Sequence, residues 1–507
     1  MARRMQIRPS WRERIQLAAV GPRDVILYLV CRSFRSFVWS FERLPGPYLA
    51  WSSRVRSRRA FYRASRRVPA YAEFLAQRGA TRQSIPETDK ASYIQAFSPE
   101  ARCVAGRLPE KHTMIDESSG STGTPYNWVR NVRERRDSHL FISYFARYCY
   151  GDKPWITINA FSMGAWATGL NMGLALQGNS VVKNTGPDLE KIMHTLAFFG
   201  PDYPYLIMGY PPFLKQVIDV AETRGFPLHD YRLNALVGGE GMSEGLRDYL
   251  LRRFHLVYSG YGATDLEIGI AGETPVSVAI RRLAKDDARV RARLFGPDSR
   301  LPMVFQYNPL MHHIEVNENR EVIFTITRAN LLSPRIRYNV HDEGGVMRYD
   351  QMARALKDLG RGIETLVPAS ERRLLHLPFL WIYGRRDFTI SVMGANIYPE
   401  DLEQCIYANP KLAQVTRSFC QSLTELPDGG VKPAFFFEVD VEPDEALRQE
   451  FAESILKTLV QLNADFRAAW NEYPETLVPD VQLYGVGQGP FTADAGKIKQ
   501  ARVLKKP

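Results

Sequence analysis

From about residue 153 the chain alternates short apolar runs with amphipathic stretches of 10–15 residues. "PWITINAF", "NSVVKN", "YPYLIMG" and "LNALVGG" read as strands. "DLEKIMHTLAFFG", "PPFLKQVIDVAETRG" and "SEGLRDYLLRRF" read as helices. Strands that alternate with helices of this length predict parallel pairing and a doubly wound sheet. After residue 300 the pattern changes. "MVFQYN", "HHIEVNENREVIFTIT" and "PRIRYNVHDEG" predict antiparallel β structure with Asn-Glu-Asn at a turn. Beyond "LWIYGRRDF" a smaller α+β unit follows, with helices "PEDLEQCIYANP" and "DEALRQEFAESILKTLVQLNADF" around the strand "KPAFFFEVDV". Residues 60–100 read as short helices joined by turns, and no internal repeat is visible.

Composition adds bounds. At 507 residues two or three domains are expected, and 45% apolar with 24% charged residues is ordinary for a globular chain. The five cysteines (31, 103, 149, 405 and 420) form no CxxC pair. That argues against a disulfide framework and a structural zinc site, and for a reducing, cytoplasmic compartment. The net charge of +11 is concentrated: residues 1–67 carry sixteen arginines against three acidic residues, so the remainder is nearly neutral. A nucleic-acid partner is therefore not expected. The longest apolar run of the extension, Val25 to Cys31, is far short of the roughly 20 residues that span a bilayer. A basic helix is expected there, with Phe34, Phe37, Val38 and Phe41 interleaved with Arg32, Arg35 and Arg43. Its aromatics either dock on the main body or form a peripheral membrane contact through residues 24–43, at the periphery of the cytoplasm.

The chemistry begins with "DESSGSTGTPYN", residues 116–127. Glycines let backbone amides approach an anion, and Ser and Thr hydroxyls donate to it, so a phosphate suits this loop. A capped surface turn is the plain alternative. It is not a Walker A loop, because the required Lys is absent. "GMSEG" (241–245) fits the GxSxG nucleophile elbow, but "GGEG" separates Ser243 from the strand's end, which favours a helix cap. "GVGQG" (485–489) lies near the chain end with no βαβ unit after it.

In order and spacing the loop and five further segments resemble the adenylate-forming superfamily of acyl-CoA synthetases and adenylation domains. They are "SSGSTGTP", "VGGEGMSE" (237–244), "YSGYGATDLE" (258–267), "RYNVHDEG" (337–344), "YGRRDFTISVMGANIYPEDLE" (383–403) and "GPFTADAGKIKQ" (489–500). The resemblance is to the phenylacetate–CoA ligase-like branch, which includes capsule-biosynthesis-like proteins, and it covers about residues 60–507. It implies an α/β fold: a large N-terminal domain of mixed and parallel sheets flanked by helices, with a β subdomain, and a small mobile α+β C-terminal domain. The boundaries expected are 1–59 for the basic extension, 60–384 for the large domain and 385–507 for the small one.

The activity implied is ATP-dependent activation of a small-molecule carboxylic acid, with CoA as the leading acceptor and Mg²⁺ as the metal. A carrier-protein thiol or an amine is the alternative acceptor. A non-catalytic scaffold and a serine hydrolase are the alternatives of another class, and a dimer is left open. By resemblance, Ser118, Ser119, Gly120, Ser121, Thr122 and Gly123 line the phosphates. Gly239 and Glu240 lie along adenine, Gly262 borders the nucleotide, and Tyr261 borders the nucleotide or the acyl pocket. Thr264 reaches a phosphate oxygen, and Asp265 holds Mg²⁺. Asp342 accepts from the ribose hydroxyls, with Arg385 nearby at the domain junction. Asp387 sits at the hinge, and Lys497 bridges the carboxylate and the α-phosphate. Segments near Phe161–Trp166 and Gly238–Gly241 would line the acyl pocket. Three positions depart from the family pattern: Thr124 and Tyr126 flank Pro125 where a Lys is usual, Asp265 replaces Glu, and Met393 stands where Lys or Arg is common.

Overall fold

The structure is a computed structural model that describes residues 7–117, 126–152, 154–164, 167–298, 300–368, 373–385, 390–392, 395–425, 431–472, 474–494 and 503. Four helices come first: α1 (Trp11–Val30), α2 (Phe34–Phe41), α3 (Gly46–Arg67) and α4 (Pro69–Gln77). The hairpin β1 (Thr113–Glu117) and β2 (Asn127–Asn131) leads into the long helix α5 (Val132–Tyr150). The βα rhythm expected from the sequence then appears as β3 (Ile156–Asn159), α6 (Ala167–Leu176), β4 (Val181–Asn184), α7 (Leu189–Phe199), β5 (Pro204–Gly209), α8 (Pro211–Thr223), β6 (Arg232–Gly238), α9 (Glu244–Leu250) and β7 (Val257–Ala263). Next come β8 (Glu267–Gly272), α10 (Pro275–Asp286), α11 (Ala288–Phe295), β9 (Met303–Tyr307), β10 (His312–Val316), β11 (Glu321–Ile326), β12 (Tyr338–Met347), α12 (Tyr349–Asp358) and β13 (Phe379–Arg385).

These strands make one sheet of eleven, in the order β10-β11-β12-β13-β9-β8-β7-β6-β5-β3-β4. From β4 to β7 every pairing is parallel. From β7 to β10 every pairing is antiparallel. The antiparallel segments expected after residue 300 thus continue the parallel sheet, and the direction switches between β7 and β8. The parallel strands are apolar runs because helices cover both faces: β3 is buried throughout, and β5 from its second residue on. Helix α8 shows the matching period, burying Leu214, Val217, Ile218 and Ala221 while Pro211 opens its first turn.

A second sheet of three strands follows, with β16 (Thr416–Glu425) antiparallel and β18 (Asp480–Tyr484) parallel to β17 (Val431–Val439). It is accompanied by the small hairpin β14 (Ile390–Val392) and β15 (Ala395–Ile397) and by α13 (Pro399–Ala408), α14 (Pro410–Val415), α15 (Glu445–Leu462), α16 (Ala464–Glu472) and α17 (Pro474–Leu477). This unit rests on α8 and α9. Lys215 Nζ donates to the Thr416 carbonyl at 3.1 Å, and the Ser243 amide donates to Glu403 at 2.6 Å. A Cβ at Gly245 would stand 2.5 Å from Tyr407 Cβ, so α9 and α13 touch backbone to side chain.

Helix α2 is the basic helix read from the sequence, and its Phe34, Phe37, Val38 and Phe41 are docked. Ser33 caps its start by accepting from the Ser36 amide at 3.2 Å. Phe37, Val38 and Phe41 are buried and cluster with Phe141, Tyr144 and Phe145 of α5. The Phe37 ring centroid lies 5.2 Å from Tyr144 and 6.3 Å from Phe141. Those side chains are therefore not the ones a membrane would meet. No helix among the described residues is long and apolar enough to cross a membrane.

Candidate active site

Where the sheet changes direction, the ends of β6 and β7 leave a cavity of about 790 Å³. In open α/β sheets ligands bind outside the carboxyl ends of the parallel strands. Gly238 to Gly241, Gly260 to Asp265, Asn339 to Asp342 and Ile382 to Gly384 line one end. Helices α5 and α6 and strand β8 close the other. Two glycines shape the first end for steric reasons. Gly239 has φ +89°, and a Cβ there would lie 2.6 Å from the Tyr210 ring. A Cβ at Gly262 would lie 2.9 Å from the Gly269 amide nitrogen, so β7 and β8 could not approach with any side chain there.

Asp342 and Asp265 at this end are each held by a tyrosine. Tyr261 Oη donates to Asp342 Oδ2 at 2.6 Å, and its ring packs against Phe305 and Phe324. Burial, and then the Asp342 carboxylate, push the Tyr261 phenol well above its ordinary value, so it stays a donor. Tyr338 Oη donates to Asp265 Oδ2 at 2.8 Å. His341, one residue before Asp342, takes φ +64°, an uncommon conformation outside glycine that costs on the order of 1 kcal/mol. The Asn339 side chain stabilises it by accepting from the His341 amide at 2.7 Å.

The turn carrying Thr264 and Asp265 is tied to the β1–β2 hairpin. Arg130 donates from one nitrogen to Asp116 at 2.8 Å and from another to the Thr264 and Leu266 carbonyls. Arg335 Nε donates to the Asp265 carbonyl at 2.7 Å. The hairpin strands bracket residues 118–125, so the same arginine fixes both flanks of the Ser/Thr/Gly segment to the Thr264–Leu266 turn. Asp89, Lys90 and Glu117 also line this end. Lys90 Nζ lies 6.0 Å from the centroid of Tyr126, the residue that stands beside Pro125 where the family pattern has a cation.

The other end is apolar. Phe141, Ile142, Phe145 and Ala146 of α5 face Ile268 and Ala271 of β8, with Phe161, Met172, Tyr210 and Tyr258 around them. Helix α5 sits close because β8 presents glycines. A Cβ at Gly269 would be 2.4 Å from Ile142, and one at Gly272 would be 2.6 Å from Phe145. The acid at this end, Glu273, is already paired: Arg247 donates to it at 2.6 and 2.9 Å and the Ser259 amide at 2.8 Å. Helix α5 is braced at Glu267, whose carboxylate bonds Ser138, His312 and Arg328. Burial pushes that carboxyl up, but Arg328, His312 and Ser138 outweigh it and hold it at about 2. Burial pushes Glu134, in the first turn of α5, up to about 7 against the Leu332 amide that donates to it.

Of the residues expected from the sequence, Gly239, Glu240, Tyr261, Gly262, Thr264, Asp265 and Asp342 all line this one cavity, and so does Phe161. Arg385 is the register partner of Asp342 across β12 and β13. Ser118, Ser119, Gly120, Ser121, Thr122, Gly123, Trp166, Asp387, Met393 and Lys497 lie outside the described residues. Ser243 behaves as a cap: its Oγ accepts from the Leu246 amide at 3.1 Å. Sequence reading missed Asp116, Arg130, Lys90 and Tyr338. Among the described residues no group of three or more His, Cys, Asp or Glu could hold a metal by itself.

No family model matches the chain. It is 24% identical over 369 residues to a phenylacetate-coenzyme A ligase of Aromatoleum evansii, covering 70% of this chain and 74% of that one. To a phenylacetate-coenzyme A ligase of Pseudomonas putida it is 22% identical over 316 residues, covering 60% and 62%. Its fold matches 2-hydroxyisobutyryl-CoA ligase in the postadenylation state with 2-HIB-AMP, at a TM-score of 0.66 and 13% identity, over 92% of this chain and 91% of that one. Against the same ligase in its thioesterification state, with 2-HIB-AMP and CoA, the TM-score is 0.53 at 13% identity and the same coverage. The likeness to two phenylacetate-coenzyme A ligases and the fold shared with 2-hydroxyisobutyryl-CoA ligase both support the resemblance, read from the motif order, to the adenylate-forming superfamily and its phenylacetate–CoA ligase-like branch.

Proposed function

We propose that this protein is an AMP-forming acid–thiol ligase for a carboxylic acid with an apolar tail. A carboxylate oxygen attacks the α-phosphorus of ATP, the bond from that phosphorus to the bridging oxygen breaks, and pyrophosphate leaves. The thiol sulfur of CoA then attacks the acyl carbon of the adenylate and displaces AMP. The observation that carries this reading is one cavity that joins Asp265 and Asp342, held by tyrosine hydroxyls, to an aromatic and aliphatic lining beside α5.

In this reading Asp342 accepts from the ribose, steadied by Tyr261, and Gly239 and Glu240 flank the base. Ser118 to Gly123 and Thr264 bind the phosphates, and Lys90 supplies the cation that Thr124 and Tyr126 do not. The donor set suits Mg²⁺, which is commonly held by one or two carboxylates plus substrate phosphates. Asp265 is that carboxylate, and the ion would supply charge neutralisation on the polyphosphate. Residues 60–384 form the body, and residues 385–507 form the mobile part that turns about Asp387 and delivers Lys497 to the α-phosphate. The apolar end excludes water and holds the tail without a charged partner, since Glu273 is occupied by Arg247. Five free thiols fit a reducing cytoplasm.

The test is pyrophosphate release across a panel of aryl, aryl-alkyl and alkyl acids, with products weighed by mass spectrometry with and without CoA. Acid-dependent pyrophosphate and a CoA thioester are expected. Pyrophosphate without a thioester would move the acceptor to an amine or carrier thiol, and no release with any acid would refute the ligase reading.

A further inference from the structure

Helix α1 carries two apolar faces. Ser10 and Glu13 form a capping box at its start. On its inner face Leu17, Val20 and Leu27 turn to the protein, and Glu13 accepts from Tyr62 and Arg82. On the opposite face Trp11, Ile15, Val25, Ile26 and Leu29 are between 57% and 67% exposed. At about 100° per residue these five fall within an arc of roughly 100°, a continuous outward stripe. Arg12 and Arg23 border the stripe on one side and Arg14 on the other, all exposed. Trp39, at the next helix, is also exposed, with the Arg43 guanidinium 4.9 Å from its ring.

An outward apolar stripe of this length has two plausible occupants, a second copy of the chain or a lipid surface. Charge decides between them. Residues 1–67 hold sixteen arginines and three acidic residues, and one of those three, Glu13, is spent on the inner face. Two copies paired through this face would set their arginine rims against each other, whereas an anionic surface complements them. We propose that α1 lies in the headgroup layer of an anionic membrane, with Trp11, Ile15, Val25, Ile26 and Leu29 inserted among the acyl chains and Arg12, Arg14 and Arg23 on the lipid phosphates. The surface is separate from the cavity, so this inference stands or falls independently of the ligase reading.

The experiment is cosedimentation of the full chain with vesicles of phosphatidylcholine alone and of phosphatidylcholine with phosphatidylserine. Binding is expected only to the second, weakening as salt rises. The double substitution I15E/I26E and the charge reversal R12E/R14E should each lower the bound fraction at least about tenfold, with the thermal midpoint of the free protein unchanged because all four side chains are exposed. Two results would overturn the proposal. One is binding that is equal for both vesicle types or untouched by either variant. The other is no vesicle binding together with a dimer in sedimentation velocity that I15E/I26E converts to monomer.

Discussion

The two ends of the cavity are built by different physics. At the polar end, side chains are held in place by hydrogen bonds from residues far away in sequence: Tyr261 on Asp342, Tyr338 on Asp265, and Arg130 on the Thr264–Leu266 turn. The apolar end is walled mostly by Phe, Ile, Ala and Met side chains. Its shape comes from backbone closeness, because Gly269 and Gly272 let α5 settle onto β8. A polar site depends on a few directional contacts, each worth on the order of 1–3 kcal/mol when a charge is involved. An apolar site depends on volume, and an added methyl is felt through overpacking.

Substitutions should therefore separate the two ends. The largest effect is expected for Asp342→Ala, which in the proposed function would remove two charge-assisted contacts to the nucleotide. The kcat/KM for ATP should fall by about 100-fold or more, with the KM for the acid little changed, as read from pyrophosphate release. An equal rise in both KM values would break the comparison. Next comes Gly272→Ala, whose new Cβ meets Phe145. The KM for the acid should rise by about tenfold with ATP kinetics intact, and the loss should be steepest for the bulkiest acids. A Gly272→Ala protein that loses ATP affinity instead would show that α5 serves the nucleotide end too.

The smallest effect concerns pH and the helix that walls the apolar end. Glu134 has a folded pKa of about 7, above its unfolded value near 4.3. Its stabilising proton is therefore fully held below about pH 4.3 and lost as pH rises through 7. Between pH 5 and 8 the wild-type thermal midpoint should drop by about 1–3 °C more than that of Glu134→Gln. Parallel curves for the two proteins would show that Glu134 does not titrate there.

Legibility in the sequence followed the same division. The parallel half was readable because β3 to β6 include short apolar runs, and α8 and α9 keep a helical period beside them. The polar residues of the site were readable where they sit in ordered motifs, as with Thr264, Asp265 and Asp342. Their partners were not. Arg130 reaches a turn more than 130 residues away, and Tyr338 lies in an unremarkable strand, so nothing local marks either. Lys90 sits in a single turn long before Tyr126, the ring it approaches. The glycines of "EIGIAG" did carry a signal, since an isolated glycine inside a strand often marks a close backbone approach, but only α5 packed against it gives that signal a meaning. In the basic extension the pattern indicated one helix, either docked or in peripheral contact with a membrane. It did not separate α1 from α2, because the break depends on Ser33 capping a new start.

The most direct measurement is calorimetric titration with a non-hydrolysable acyl-sulfamoyl-adenosine that carries an apolar tail, beside AMP and the free acid. One molecule is expected to bind per chain, at least about 100-fold more tightly than AMP, because both ends of one cavity are engaged at once. Asp342→Ala and Gly272→Ala should each remove part of that gain. Affinity no better than that of AMP, or binding indifferent to both substitutions, would contradict a single cavity that joins nucleotide to acid.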